Sequence, residues 1–241
     1  MKLTVLGSSS RGNCYLLSSS AGSSLIIECG LHFADIKKAL DFDIDGICAV
    51  LVSHEHDDHC KHVQEYINAG INVFSGPDVA KKFPGVIDAS NFVEQIILDS
   101  DFSFATFRLH HDVHCMAFMI HHPEMGMLIF ATDTHFMPAR FNGFNHYLLE
   151  CNYSNEIMEQ KMIDHQIDMT LRERISMTHM SLEYVQDYLS RVDTSKAQTI
   201  MLMHLSDGNS DEQQFKSTIE KTTGVNVTIA DAGVQLDLTL M

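Results

Sequence analysis

Residues 47–59 read Ile47-Cys48-Ala49-Val50-Leu51-Val52-Ser53-His54-Glu55-His56-Asp57-Asp58-His59. The first six are apolar and include two valines and an isoleucine, the length and composition of a buried strand. The last six hold three histidines and three carboxylates, and they start where that strand ends. In open α/β sheets this is the usual place for a site. Neutral imidazole and carboxylate together suit divalent first-row ions, zinc, manganese and iron among them. His54 and His56 can converge on one ion while Asp58 and His59 turn toward a second. A solvated turn would draw on Gly, Pro, Asn and Ser instead of three histidines.

Working outward, three more clusters of metal-ligating residues stand at predicted strand ends. His110-His111-Asp112 follows a strand over Phe102 to Leu109, Asp133 follows one over Met127 to Ala131, and His204 follows one over Gln198 to Met203. A lone histidine after a strand is usually only a polar strand end. Four such clusters in one chain point to a shared centre that gives each of two ions three or four protein ligands.

The remaining pattern is mixed. Strands are expected at Met1 to Gly7, Cys14 to Leu17, Leu25 to Glu28, Asn72 to Ser75, Cys115 to Ile120, His146 to Glu150, Val225 to Ile229 and Val234 to Leu238. The serine-rich stretch 18–24 reads as a hairpin turn. Helices are expected over Phe33 to Leu40, Lys61 to Ala69, Asn155 to Arg174 and Leu182 to Ser190, the last capped by Ser181. A capping box at Ser210-Asp211-Glu212-Gln213 opens another, closed by Gly224. Gly7-Ser8-Ser9-Ser10-Arg11-Gly12-Asn13 looks like a phosphate loop, but it lacks the G-K-[ST] ending and is followed by a strand, so that reading fails. Two sheets packed face to face with helices outside satisfy this order.

Composition bounds the function. The chain has 241 residues, 45% of them apolar, with a net charge of −16. Such a chain can bury a substantial core, and it is read as one domain over 1–241. No run of 18 apolar residues and no signal-like segment is present, so neither a membrane span nor a membrane partner is expected. Six scattered cysteines without a C-x-x-C suit free thiols in a reducing cytoplasm. Cys60 adjoins the motif and reads as a bystander, because Asp58 and His59 already supply the second ion. The negative charge disfavours broad binding to a nucleic-acid backbone. Two divalent ions would nonetheless make one spot strongly positive.

The order H-x-H-x-D-H, His, Asp, His resembles the metallo-β-lactamase superfamily, and within it the YycJ-like (WalJ-like) branch, kin to ribonuclease Z and related phosphodiesterases. Leu6-Gly7-Ser8-Ser9-Ser10-Arg11-Gly12-Asn13 resembles that branch's opening S-G-N loop, and Ile27-Glu28-Cys29-Gly30 its I-D-C-G. Ala131-Thr132-Asp133-Thr134 resembles A-T-D-T, and Glu150-Cys151-Asn152-Tyr153 resembles E-S-N-H. Thr178-His179-Met180-Ser181 and His204-Leu205-Ser206 resemble its two H-L-S segments. The resemblance implies an α+β four-layer αββα sandwich and a dinuclear zinc or manganese centre. His54, His56 and His111 would hold one ion and Asp58, His59 and His204 the other, with Asp133 bridging. His114, in the same turn, is the alternative to His111. Asp58 and His179 are the implied catalytic groups, His179 as acid for the leaving oxygen. Three departures bear on substrate: Glu28 for Asp, Tyr153 for His, and His135 where glycine is frequent. The implied activity is phosphodiester cleavage, foremost as a DNA exonuclease. Small-molecule or cyclic-nucleotide phosphodiesterase and non-phosphoester metallohydrolase are the alternatives. Expected partners are nucleic acid, DNA before RNA, or a small nucleotide, with a homodimer as an admissible assembly.

Overall fold

The computed structural model describes residues 1–90, 96–98 and 100–241. Two seven-stranded sheets form its centre. The first takes β1 (Lys2–Gly7), β2 (Cys14–Ser18), β3 (Ser24–Ile27), β4 (Ile47–Leu51), β5 (Val73–Ser75) and β6 (Ile87–Asp88) in chain order. The second takes β7 (Ile96–Ile97), β8 (Ser103–Leu109), β9 (Cys115–His122), β10 (Gly126–Ala131), β11 (His146–Glu150), β12 (Thr199–Met203) and β13 (Val227–Ile229). The last strand, β14 (Gln235–Asp237), returns to the first sheet and pairs with β1, Leu3 opposite Leu236.

Strand periodicity explains the layering. Successive side chains point to opposite faces, and the central strands are apolar on both. In β3, Leu25 and Ile27 enter the cluster between the sheets, while Ile26 packs outward with Phe33, Ile36 and Tyr66. In β10, Leu128 and Phe130 face the other sheet, while Ile129 and Ala131 join Leu182, Val185, Phe215 and Ile219. The outward clusters bring in helices α1 (Phe33–Ala39) and α3 (Val63–Asn68) on one side, α7 (Leu182–Ser190) and α8 (Glu212–Thr223) on the other. The result is the α+β four-layer αββα sandwich that the resemblance implies.

Several expected elements differ in detail. A short helix, α2 (Asp57–Cys60), begins inside the His/Asp motif itself. The segment Pro77–Lys82 is helical (α4), with Pro77 in the first turn, where its missing N–H costs nothing. The long helix over 155–174 is two helices, α5 (Asn155–Ile163) and α6 (Met169–Thr178). His165 between them has φ 56°, and the Asp168 side chain accepts from Leu171 N–H to restart the helix. At α8 the cap is Asp211, which accepts from Gln214 N–H at 2.8 Å, not Ser210. Ser210 bonds back to Ser206 O instead.

Candidate metal centre

All seven sequence-predicted ligands meet at one edge of the sandwich. The first sheet supplies the loop after β4; the second supplies the ends of β8, β10 and β12. Ligating atoms of His54, His56 and His111 lie within 4.8 Å of one another, as do those of Asp58, His59 and His204, and those of His54, His59 and Asp133. His111 Nε2 is 3.3 Å from His56 Nδ1. His59 Nε2 is 3.0 Å from Asp133 Oδ2 and 3.3 Å from Asp58 Oδ2. His204 Nε2 is 3.7 Å from Asp58 Oδ2, and its Nδ1 is 3.4 Å from Asp133 Oδ1. Asp133 therefore lies between the two triads. His114 lines a separate cavity with Arg108 and Asp88, so His111 fills the third position of the first triad.

The backbone at this edge is unusual. Glu28 (φ 72°), Asp133 (φ 48°) and His204 (φ 54°) all occupy the left-handed region. Non-glycine residues seldom adopt it, and clusters of such residues mark sites where geometry outweighs local comfort.

The donor set fits divalent cations. His54 Nε2 is buried and lacks a hydrogen-bond partner among the described residues, while Ser53 Oγ holds its Nδ1 at 2.8 Å. An orphaned buried nitrogen is costly unless something takes its lone pair. Burial, followed by the neighbouring His59, pushes His54 well below an ordinary histidine, so it offers that lone pair. Burial also lowers His111. At His59 and His204 burial acts the same way, but carboxylates outweigh it. Asp133 and Glu28 raise His59, and Asp133, Asp58 and Glu150 raise His204 to about 10. Protons thus sit among buried carboxylates where a cation would replace them.

Four supporting residues carry no ligand role in the sequence reading. Glu150 is fully buried; its Oε1 accepts from His179 Nδ1 at 2.5 Å and from His204 Nδ1 at 3.2 Å. Its Oε2 accepts from Thr134 N–H and Met180 N–H. One carboxylate thus fixes a ligand histidine, the candidate acid and the loop after Asp133. Glu28 is likewise buried, 3.4 Å from His59 Nδ1, and it accepts from Ser53 N–H. Its longer side chain still reaches the metal loop. Asn13 N–H donates to Asp58 O at 2.8 Å and Asn13 O accepts from Gly30 N–H, so the rejected phosphate loop braces the metal loop instead. Thr132 Oγ1 donates to Asp133 Oδ2 at 2.9 Å. Carboxylates that orient ligand imidazoles are common in such centres. The E-S-N-H and I-D-C-G resemblances mark Glu150 and Glu28 without giving them a role.

His179 stands beside the second triad, its ring 5.5 Å from that of His204. Burial lowers its basicity, but Glu150 and Asp133 more than restore it, so it lies above an ordinary histidine. His135 is exposed and sits edge-on to Phe136. Tyr153 is buried and its backbone bridges to Ser181. Burial raises the Cys60 thiol to about 11 against the pull of Lys82, consistent with a bystander.

The fold has counterparts among known proteins. Residues 9–90 match the family model of the metallo-beta-lactamase superfamily. Three solved structures share the fold across nearly the whole chain. The metallo-beta-lactamase fold protein YhfI from Bacillus subtilis is 17% identical over 98% of this chain and 99% of its own, with a TM-score of 0.72. Zn(2+)-bound PqqB from Methylobacterium extorquens is 14% identical over 98% and 100%, TM-score 0.71. The short form of human tRNase Z is 12% identical over 99% and 99%, TM-score 0.59. A search of curated proteins found no match. Among the described residues no helix is long and apolar enough to cross a membrane.

Proposed function

We propose that this chain is a metal-dependent hydrolase that cleaves phosphodiester bonds in nucleic acid, DNA before RNA. The observation that carries the reading is the placement of His179. It is locked by Glu150 beside the second triad, in a cavity of about 370 Å³ that Arg174 also lines. A neighbouring cavity of about 620 Å³ shares Ser9, Leu205, Ser206 and Asp207 with it and adds Arg11. Arg174 beside the candidate acid, with Arg11 in the adjoining cavity, suits an anionic phosphodiester, because a guanidinium pairs with phosphate through two parallel hydrogen bonds.

His54, His56 and His111 would hold one ion, Asp58, His59 and His204 the other, and Asp133 both. Zinc or manganese suits these donors. When bound, two such ions offset charge on phosphoryl oxygens and lower a water's pKa to about 7. The protein's own groups do the rest. Burial alone would raise Asp58, but His204 and His59 hold it well below the usual carboxylate range. Asp58 therefore stays ionised and can accept a hydrogen bond from the attacking water. His179, with Nδ1 tied to Glu150, presents Nε2–H to the leaving oxygen. Ser53 and Glu28 keep His54 and His59 from turning away.

The net charge of −16 favours a second reading, a small substrate such as a cyclic nucleotide. One experiment separates them. The purified protein, loaded with manganese or zinc, is offered end-labelled DNA, RNA, cyclic nucleotides and a lactam in parallel. Shortening of DNA supports the proposal; turnover of cyclic nucleotides alone selects the second reading; lactam cleavage without phosphodiester cleavage refutes both.

A further inference from the structure

A second group of metal-ligating side chains lies outside the central cluster. His32 occupies the N-cap of α1 and His62 the N-cap of α3, yet neither imidazole caps its helix. Both turn toward Glu65 instead. His32 Nδ1 is 2.8 Å and His62 Nδ1 2.9 Å from the same carboxylate oxygen, Oε1. The two rings are 3.8 Å apart between centroids, tilted by 44°. Ligating atoms of all three residues lie within 4.8 Å of one another. Glu65 Oε2 is held separately by Phe33 N–H at 2.9 Å, so Oε1 is aimed at the histidines.

We propose that His32, His62 and Glu65 form a further divalent transition-metal site taking a zinc-class ion. Two imidazoles and one carboxylate are a familiar zinc donor set, and nitrogen donors select against magnesium and calcium. The site is built in the sense that three backbone positions, two of them helix starts, fix the donors before any ion arrives. Each imidazole would offer its Nδ1 lone pair and keep its proton on Nε2. His62 is nearly buried, with its side chain 11% exposed, while His32 is 66% exposed. The ion would thus face solvent on one side and complete its coordination with water.

The position gives the ion a structural task. His32 ends the loop that runs on from β3 and carries Glu28, Cys29 and Gly30. Cys29 N–H donates to His59 O, and His62 N–H donates to Cys29 O. An ion joining His32 to His62 would staple this loop to α3 on the outer side of the metal loop. It would make the rigidity of the central cluster depend on free zinc without touching substrate.

The test counts metal. Wild type, His32→Ala and Glu65→Gln are equilibrated at the same free zinc concentration, and bound zinc is measured by elemental analysis. The expected result is one equivalent less zinc in each variant than in wild type. His32 is exposed, so its loss should leave the fold intact, as circular dichroism would verify. Zinc should also raise the urea midpoint of wild type more than that of His32→Ala, whereas magnesium should not separate the two. Equal zinc content in all three proteins overturns the proposal. The comparison reads a difference, so it stands whatever number of ions the central cluster holds.

Discussion

Gly30 faces the carbonyl of Asp58 so closely that a Cβ at Gly30 would lie 1.9 Å from that oxygen and 2.5 Å from Asn13 N. Both neighbours are backbone, and neither can swing aside. The metal loop and the loop after β3 therefore touch through a hydrogen atom, and glycine is required for space, not for an unusual φ. Gly30→Ala should cost at least the 1–3 kcal/mol typical of overpacking, about a fifth of a domain's stability. It should also lower metal content, because Asp58 and His59 must move. Denaturant unfolding and elemental analysis check both. An alanine variant with unchanged midpoint and metal would show that the loops yield freely.

His179 should behave as an acid and not as a ligand. His179→Ala is expected to keep its metals and lose roughly 10²–10⁴-fold in rate on a natural phosphodiester. A nitrophenyl phosphodiester, whose leaving group needs little protonation, should lose much less. Glu150→Gln should slow both substrates by about 10–100-fold, since it loosens His204 as well as His179. Equal losses on both substrates for His179→Ala would assign it to positioning.

Hydrolysis should depend on Asp133 and not on a thiol. Asp133→Ala should abolish turnover and reduce bound metal, whereas Cys60→Ala should keep most activity. Cys60 Sγ is occupied with Glu55 O at 3.1 Å and is kept protonated by burial. Rate measurements on the two variants under one metal concentration decide it, and the opposite ranking would make this a thiol hydrolase.

Away from the centre, His146 sets an acid limit on stability. Its ring is fully buried at the start of β11, with Nε2 on Met125 O at 3.1 Å. Burial, partly countered by the carbonyls of Met125 and Leu238, lowers it from 6.5 to about 4. The unfolded chain takes up this proton below about 6.5, the folded chain only near 4. Stability is therefore intact at neutral pH and falls as pH drops through that window, by roughly 3–4 kcal/mol over the whole of it at 1.36 kcal/mol per unit. In His146→Leu the unfolding midpoint should change less between pH 7 and pH 4.5 than in wild type. Identical pH slopes would remove His146 from the account.

The candidate ligands were legible because each stands beside a strand whose apolar run is visible by itself. Ile47 to Val52 announces β4, and the histidines and aspartates after Val52 must lie at its end. Glu150 and Glu28 were less legible. Each closes an ordinary strand-like run, and its role depends on which histidine a distant part of the chain brings to it. The break between α5 and α6 was hidden for a local reason. The left-handed residue there is His165, not the glycine or asparagine that would have signalled it. Nothing in the spacing of His32, His62 and Glu65 along the chain shows that the fold brings them together.

The candidate ligands come from both sheets, and this would give the metal-loaded molecule a mechanical asymmetry. His54 to His59 hang from β4, while His111, Asp133 and His204 hang from β8, β10 and β12. Elsewhere the layers adhere through apolar side chains such as Leu17, Phe118 and Phe130, a contact without direction that yields gradually under shear. Coordination bonds tolerate only a small stretch before they rupture. Pulled apart from the ligand edge, the loaded protein should be brittle, yielding at high force over a short distance. After chelation the same pull should meet a compliant sandwich, and a pull from the opposite edge should scarcely register the ions at all.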